Sequence, residues 1–136
     1  MRIVDASVLC GVLTREAGAL AAVREAAIDP HDPFHCPALV EAETLSALRG
    51  MERGGVLSRP EADRAVAAME GFRMVFYPFG ALRRRVWALR HNLTIYDASY
   101  VALAELLDES ILLTADAGLA SAARASLGDA RVQLVR

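Results

Sequence analysis

Four of the 17 acidic residues in this 136-residue chain lie in apolar segments, where an ionised side chain is costly. Burying an unpaired carboxylate costs several kcal/mol. The surrounding segments contain almost no basic partner, so a bound cation is the simplest compensation. Dispersed carboxylates that converge on a hard cation form the magnesium sites that support phosphate chemistry. The four residues are Asp5, Glu43, Asp97 and Asp116.

Each of these carboxylates also has a simpler structural explanation. Asp5, Asp97 and Asp116 precede or begin predicted helices, where a capping aspartate contributes about 0.5–2 kcal/mol. Glu43 alone could be a solvated helix residue. Glu41 is its nearest competitor, but residues two positions apart on a helix point in different directions. The metal interpretation therefore depends on all four residues meeting at one site.

The elements that position these residues alternate between strands and helices. Short apolar runs predict strands, and apolar residues at helical spacing predict the helices between them. This order indicates a three-layer α/β/α sandwich with a mainly parallel central sheet, in one domain over residues 1–136. We expect Gly50 to end the third helix and residues 29–33 to form a loop. The predicted strands are 2–5, 34–37, 74–77, 111–114 and 132–135. The predicted helices are 7–13, 19–27, 38–49, one that begins at Pro60 after a Ser58 cap, 80–91, 96–107 and 116–124.

In this fold the four carboxylates converge. Asp5 and Asp116 stand at the carboxyl ends of predicted strands, which is the edge where open parallel sheets bind ligands. Asp97 and Glu43 lie in the first turns of their helices, and helix starts face the same edge. The pattern predicts one acidic pocket there.

The composition narrows the classes of function. A formal net charge of −2 excludes a strongly basic polyanion binder, although a nucleic-acid enzyme with a local field remains open. The chain contains no lysine, so every basic residue other than histidine is an arginine. The apolar fraction of 54% indicates a helix-rich globule with surface left for self-association and for a partner.

The remaining candidate ligands and signals are weak. Cys10 and Cys36 lack C-x-x-C spacing and are interpreted as small buried hydrophobes, and the histidines lack metal-type spacing. Asp5 interrupts the apolar amino terminus too early for a signal peptide. No apolar run approaches the roughly 18 residues of a membrane span. We expect a cytoplasmic protein with reduced thiols and no membrane association.

Four segments of the chain together resemble the PIN-domain ribonucleases, and within them the toxins of the VapC type. Their order, their spacing and the total length agree, so the resemblance covers essentially the whole chain. The segment that begins with Tyr96-Asp97-Ala98 is the most specific of the four. The segments are IVDASV at 3–8, PALVEAE at 37–43 with SALR at 46–49, YDASYVALA at 96–104 and LTADAGL at 113–119.

The resemblance implies a Mg²⁺-dependent endoribonuclease, with Mn²⁺ as a substitute. It also implies a homodimer that a cognate VapB-like antitoxin holds inactive. Ser46 stands where many relatives carry asparagine. Carried over by position, the acidic quartet is Asp5, Glu43, Asp97 and Asp116, and the supporting hydroxyls are those of Ser7 and Thr114.

The chemistry expected of such a site is hydrolysis. Bound Mg²⁺ would invert the negative field, orient the scissile phosphate and acidify a water molecule. Asp5 and Asp97 are the expected direct ligands, and the expected products carry a 5′-phosphate and a 3′-hydroxyl. Arg83, Arg84 and Arg85 form the densest basic patch and are candidates for RNA contact. They could equally form a solvated helix face.

Other classes of function stay open at this stage. One is a PIN-like nuclease or RNA-processing domain outside a toxin–antitoxin system, and another is an inactive PIN-like interaction module. A third is a phosphoryl-transfer domain that uses Asp5. A haloacid-dehalogenase-type enzyme would need an aspartate at Ser7, and a receiver domain would need a late lysine. The target could be transfer, ribosomal or messenger RNA.

Overall fold

A five-stranded sheet, parallel throughout, forms the centre of the computed structural model, which describes residues 1–26 and 31–136. The strands are β1 (Arg2–Val4), β2 (Phe34–Pro37), β3 (Met74–Tyr77), β4 (Ile111–Thr114) and β5 (Val132–Leu134). Their order across the sheet is β3-β2-β1-β4-β5, and each neighbouring pair is parallel. All five predicted strands are confirmed, with ends that differ by at most one residue.

Seven α-helices surround this sheet in the described residues, and the predicted α/β/α fold is confirmed. Within the same ranges no single helix is long and apolar enough to span a membrane; α1 and α2 pass that test only as a pair bent by 112°. The helices are α1 (Ala6–Leu13), α2 (Ala17–Ala26), α3 (Val40–Arg53), α4 (Arg59–Ala68), α5 (Phe79–Leu89), α6 (Ile95–Leu106) and α7 (Ala117–Leu127). Short 3₁₀ turns follow α4 (Met69–Gly71) and α7 (Asp129–Arg131).

The two central strands and one helix make the middle of the core. Ile3 pairs with Leu112 and Val4 with Leu113, and all four side chains are buried. Continuous apolar runs of this kind are typical of parallel strands that are covered on both faces. Residues 98–104 of α6 are also buried. The core therefore holds the end of β1, the end of β4 and the start of α6 in fixed relation.

The third helix corrects one prediction. Gly50 was expected to end it, but α3 continues through Gly50 to Arg53. An exposed glycine inside a helix lowers helix stability by only about 1 kcal/mol, and the neighbouring turns can offset this loss. The helix stops instead at Gly54 and Gly55, and Gly55 takes the left-handed φ of +75° that ends many helices.

Two predictions fall partly on residues 27–30, which lie outside the described residues. These are the end of the second helix at Ala27 and the first half of the loop at 29–33. The predicted Ser58 cap is confirmed in full. Its hydroxyl accepts from Glu61 N, while the Glu61 carboxylate accepts from Ser58 N at 2.7 Å.

Candidate active site

The strand order reverses direction at β1 and β4, and the candidate site lies there. The chain builds β2 and β3 on one side of β1, then crosses to β4 on the other side. A crevice for ligands forms at the carboxyl ends of the two strands where such a reversal occurs. Asp5 directly follows β1, and Asp116 follows β4 by two residues.

Asp5 is a buried carboxylate held by three donors. Its side chain is 4% exposed. Ser7 Oγ and Val8 N donate to Oδ1 at 2.6 Å and 3.0 Å, so Asp5 caps α1. Thr114 Oγ1, at the end of the neighbouring strand β4, donates to Oδ2. A carboxylate offers about four lone-pair sites, so these bonds leave roughly one for a cation.

The hydroxyls of Ser7 and Thr114 join the ends of the two central strands. Ser7 Oγ accepts from Ala115 N at 2.8 Å, and Thr114 Oγ1 accepts from Asp116 N at 3.0 Å. Each hydroxyl thus donates to Asp5 and accepts from the loop that carries Asp116. This arrangement holds Asp5 and the loop that carries Asp116 in fixed relation.

Asp116 and Asp97 differ in their relation to helix caps. Asp116 Oδ1 accepts from Leu119 N at 3.0 Å and caps α7. Asp97 does not cap α6, because Thr94 Oγ1 accepts from Asp97 N at 3.1 Å and takes that role. Capping, the simpler explanation, therefore holds for Asp5 and Asp116 and fails for Asp97.

Glu43 has a partner that sequence reasoning missed. Tyr100 OH donates to Glu43 Oε1 at 2.8 Å, although the two residues are 57 positions apart. Tyr100 is 1% exposed, so its ring is fixed in the core and its hydroxyl fixes the carboxylate. One signal was available: Tyr100 follows Asp97 by three positions, which places both on one side of α6.

Charge repulsion connects the four carboxylates of the site. Burial is the main cause that raises the pKa values of Asp5, Glu43 and Asp97. Repulsion adds to it: Asp116 acts on Asp5, Asp5 and Asp97 act on Glu43, and Asp116 and Asp5 act on Asp97. No basic side chain of the described residues opposes these three shifts. The structure therefore places the four predicted acids within electrostatic reach of one another, with no compensating basic side chain among the causes of these shifts in the described residues.

Comparison with known proteins decides the family. Residues 2–125 match the PIN domain family. The chain belongs to the PIN-domain family. It is 34% identical to Ribonuclease VapC9 of Mycobacterium tuberculosis (strain ATCC 25618 / H37Rv) over 125 residues, which cover 92% of this chain and 93% of that protein. Ribonuclease VapC3 of the same strain is 36% identical over 120 residues, or 88% and 85% of the two chains.

A solved structure agrees with this PIN-domain assignment. The crystal structure of PAE2754 from Pyrobaculum aerophilum superimposes with a TM-score of 0.64 and 25% sequence identity, and the match covers 96% of this chain and 81% of that one. The predicted resemblance to PIN-domain ribonucleases of the VapC type is confirmed. The Asp5 and Asp116 loops, Glu43 and Asp97 all lie within the matched PIN domain.

The donor set of this PIN domain suits a hard cation that keeps much of its water. Among residues 1–26 and 31–136, no three His, Cys, Asp or Glu side chains are arranged so that they could hold a metal together. Mg²⁺ does not need such a cage, because it commonly binds one or two carboxylates and retains several waters. Four carboxylates and two hydroxyls offer only oxygen, which Mg²⁺ and Mn²⁺ prefer. The residues fit an open, hydrated site.

The three candidate arginines are not equivalent. Arg85 forms a two-point ion pair with Glu105, with Nε–Oε2 at 2.5 Å and Nη2–Oε1 at 2.9 Å. Ser126 Oγ also donates to Glu105 Oε1, so this contact joins α5, α6 and α7. Arg83 and Arg84 are exposed on α5. Two of the three arginines are therefore available to a polyanion, and the third is committed to a structural contact.

The two cysteines behave as hydrophobes, as predicted. Both are free and buried. Burial raises the pKa of Cys10 to about 11 and that of Cys36 to about 12. Neither thiol forms the thiolate that nucleophilic or metal chemistry requires near neutral pH.

Proposed function

We propose that this PIN domain, a single domain over residues 1–136, is the toxin of a toxin–antitoxin pair and hydrolyses RNA phosphodiesters at a metal-dependent site. Its family and its VapC relatives support an endoribonuclease. The observation that carries the proposal is the buried Asp5, held by three donors at the β1–β4 crevice and repelled by Asp116. Such an arrangement is unfavourable until a cation binds. The proposed catalytic and metal-binding set is Asp5, Glu43, Asp97 and Asp116.

Asp5 and Asp97 are the proposed direct ligands of Mg²⁺, for which Mn²⁺ is a substitute. Three hydrogen bonds hold Asp5 rigid and leave room for about one metal bond. Asp97 is only partly buried and does not cap its helix. When bound, the cation offsets the phosphate charge, acidifies a water molecule and stabilises the leaving oxygen. Asp116 and Glu43 would complete the set that holds the cation.

Glu43 is the proposed residue that orients the attacking water. Tyr100 holds Oε1, which leaves Oε2 to accept a hydrogen bond and then a proton from that water. Burial raises the pKa of Glu43, and a carboxylate with a raised pKa is a better general base. Attack by water, rather than by a ribose hydroxyl, leaves a 5′-phosphate and a 3′-hydroxyl.

The proposed partners are RNA, a VapB-like antitoxin and a second copy of the chain, all in the cytoplasm. The VapC relatives support the antitoxin. Four carboxylates attract a cationic segment, so an antitoxin that presents an arginine to the crevice would neutralise the site. Arg83 and Arg84 supply the proposed RNA contact on α5. A small DNA-binding protein encoded immediately upstream would support the toxin assignment, and its absence would favour a PIN nuclease outside such a system.

A cleavage assay on two matched aspartate variants tests the proposal. We expect Asp97→Asn to lower Mg²⁺-dependent cleavage of purified RNA by about 10²-fold or more, as the loss of a charged group at a reaction centre does. Asp108→Asn, an exposed acid beyond the other end of α6, should retain wild-type activity. Equal activity of the two variants would refute the site.

A further inference from the structure

A groove of about 580 Å³ opens directly beside the acidic site. Its volume lies within the range of about 300–1,000 Å³ that is typical of small-ligand sites. Glu43 belongs both to the groove and to the proposed catalytic set, so the two spaces are continuous. The lining residues are Leu39, Ala42, Glu43, Ser46, Ala47 and Tyr96.

The lining suits a flat, uncharged group. Ala42, Ser46 and Ala47 present small side chains from α3, and Glu43 is the one ionisable acid among the lining residues. Tyr96 supplies an aromatic ring and is 59% exposed. It immediately precedes Asp97, so this exposed ring lies next to the proposed metal site. An aromatic ring left in water beside a reaction centre is well suited to stack on a ligand.

The neighbouring charges exclude an anionic occupant. Asp5 and Asp97 repel the Glu43 carboxylate that lines the groove, and an acidic peptide or an unshielded phosphate would meet the same repulsion. A nucleobase carries no charge and has a π-face, and stacking of a base on an aromatic side chain is worth about 1–3 kcal/mol. In a single strand, such a base lies next to each phosphate.

We propose that this groove binds one unpaired base next to the scissile phosphate, stacked on Tyr96. The inference rests on the proposed function and adds to it a binding site for the base next to the cleaved bond, built from Tyr96 and α3. Tyr96 is a binding residue in this scheme, because the ring touches a base and not the reacting phosphate. Ser46, whose hydroxyl both donates and accepts, lies where it can meet the edge of the base.

Steady-state cleavage of a short single-stranded RNA tests this inference. We expect Tyr96→Ala to raise KM by about 5- to 150-fold with little change in kcat, the range that corresponds to the stacking energy. Tyr96→Phe should remain close to the wild type, because the ring is retained. Leu106→Ala removes a similarly exposed side chain, 56% exposed, from the far end of the same helix and should change neither constant.

An abasic substrate locates the contact. Removing a base next to the cleaved bond should weaken wild-type cleavage by the same factor as Tyr96→Ala, and the two changes together should cost no more than either alone. Equal KM values for the wild type and Tyr96→Ala would overturn the inference while leaving the nuclease intact. A switch of Tyr96→Ala from dimer to monomer in sedimentation would also overturn it, because a second copy would then fill the groove. Failure of the wild type to cleave any RNA with Mg²⁺ would refute the proposed function and this inference with it.

Discussion

At the scale of single residues, Asp5 combines two roles that are usually separate. It caps α1 and ties β1 to β4 through the hydroxyls of Ser7 and Thr114. Its removal would leave these buried donors unpaired, at about 1–3 kcal/mol for each group. Loss of activity in an Asp5 variant would therefore mix folding with chemistry. Asp97, which is half-buried and does not cap, is the cleaner probe.

Asp97→Asn should stabilise the metal-free protein. Burial, together with Asp116 and Asp5, raises the pKa of Asp97 in the folded state, so ionisation opposes folding. The stabilisation should be full above the raised folded pKa, where wild-type Asp97 is charged. It should fade as the pH falls through the raised folded pKa and vanish below about 4, the unfolded value, where Asp97 is protonated in both states. Thermal unfolding in EDTA from pH 8 to pH 4 measures this difference.

Added Mg²⁺ supplies the control for that experiment. It should raise the unfolding temperature of the wild type and have much less effect on Asp97→Asn, because binding to the folded state alone stabilises it. A variant that is less stable than the wild type at neutral pH in EDTA would contradict the electrostatic account of this residue.

The Tyr100 hydroxyl should matter for catalysis through Glu43. Tyr100→Phe removes one hydrogen bond to a carboxylate, worth about 1.5 kcal/mol, and should lower kcat about tenfold. Tyr77→Phe is the matched control, because Tyr77 OH pairs with His35 Nδ1 at 2.8 Å, away from the acids. We expect it to lose stability and keep its kcat. Unchanged kcat in Tyr100→Phe would remove Glu43 from the proposed chemistry.

At the scale of elements, α3 contains a glycine that lowers its stability and can be replaced. Gly50 lies inside the helix, and an added Cβ would meet no atom within 4 Å. Gly50→Ala should therefore raise the free energy of unfolding by about 0.5–1 kcal/mol. Gly128→Ala should lower it, because Gly128 has φ +87° and ψ 157°, a region almost confined to glycine. Urea denaturation of both variants distinguishes these signs.

Local chemistry explains which elements could be predicted from the sequence. Most of the strands are short runs of mainly apolar residues, and Ser58 with Glu61 forms a capping box that marks the start of α4, so local rules predict these elements. The prediction that Gly50 ends α3 was wrong, because the low helix propensity of one glycine is outweighed by the helical turns on either side of it. The sequence places Tyr100 on the same side of α6 as Asp97, but it does not predict the bond to Glu43, because that bond depends on how α6 packs against α3.

At the scale of the whole molecule, the position of the acids at one edge could be predicted, because parallel strands share their carboxyl ends. The sequence did not separate Arg85 from its neighbours, because its Glu105 partner lies on another helix. With a net charge of −2, RNA binding must depend on local positive charge and on the cation.

Arg83 and Arg84 should therefore contribute to the salt dependence of RNA binding. Replacing both with glutamine should reduce the slope of log affinity against log salt by about 1.4, or roughly 0.7 for each single-strand phosphate contact. Arg85→Gln should reduce the slope less, since Arg85 is paired with Glu105. A slope that is unchanged in the double variant would assign these arginines to a solvated helix face.

The chemical identity of the cleaved RNA ends tests the central claim most directly. Purified protein should leave 5′-phosphate and 3′-hydroxyl ends when Mg²⁺ is present, and no cleavage should occur in EDTA or with Asp97→Asn. These ends follow from attack by a water molecule that the carboxylate site orients. Ends that carry a 2′,3′-cyclic phosphate, or cleavage that persists in EDTA, would contradict a metal-dependent hydrolase built on these four carboxylates.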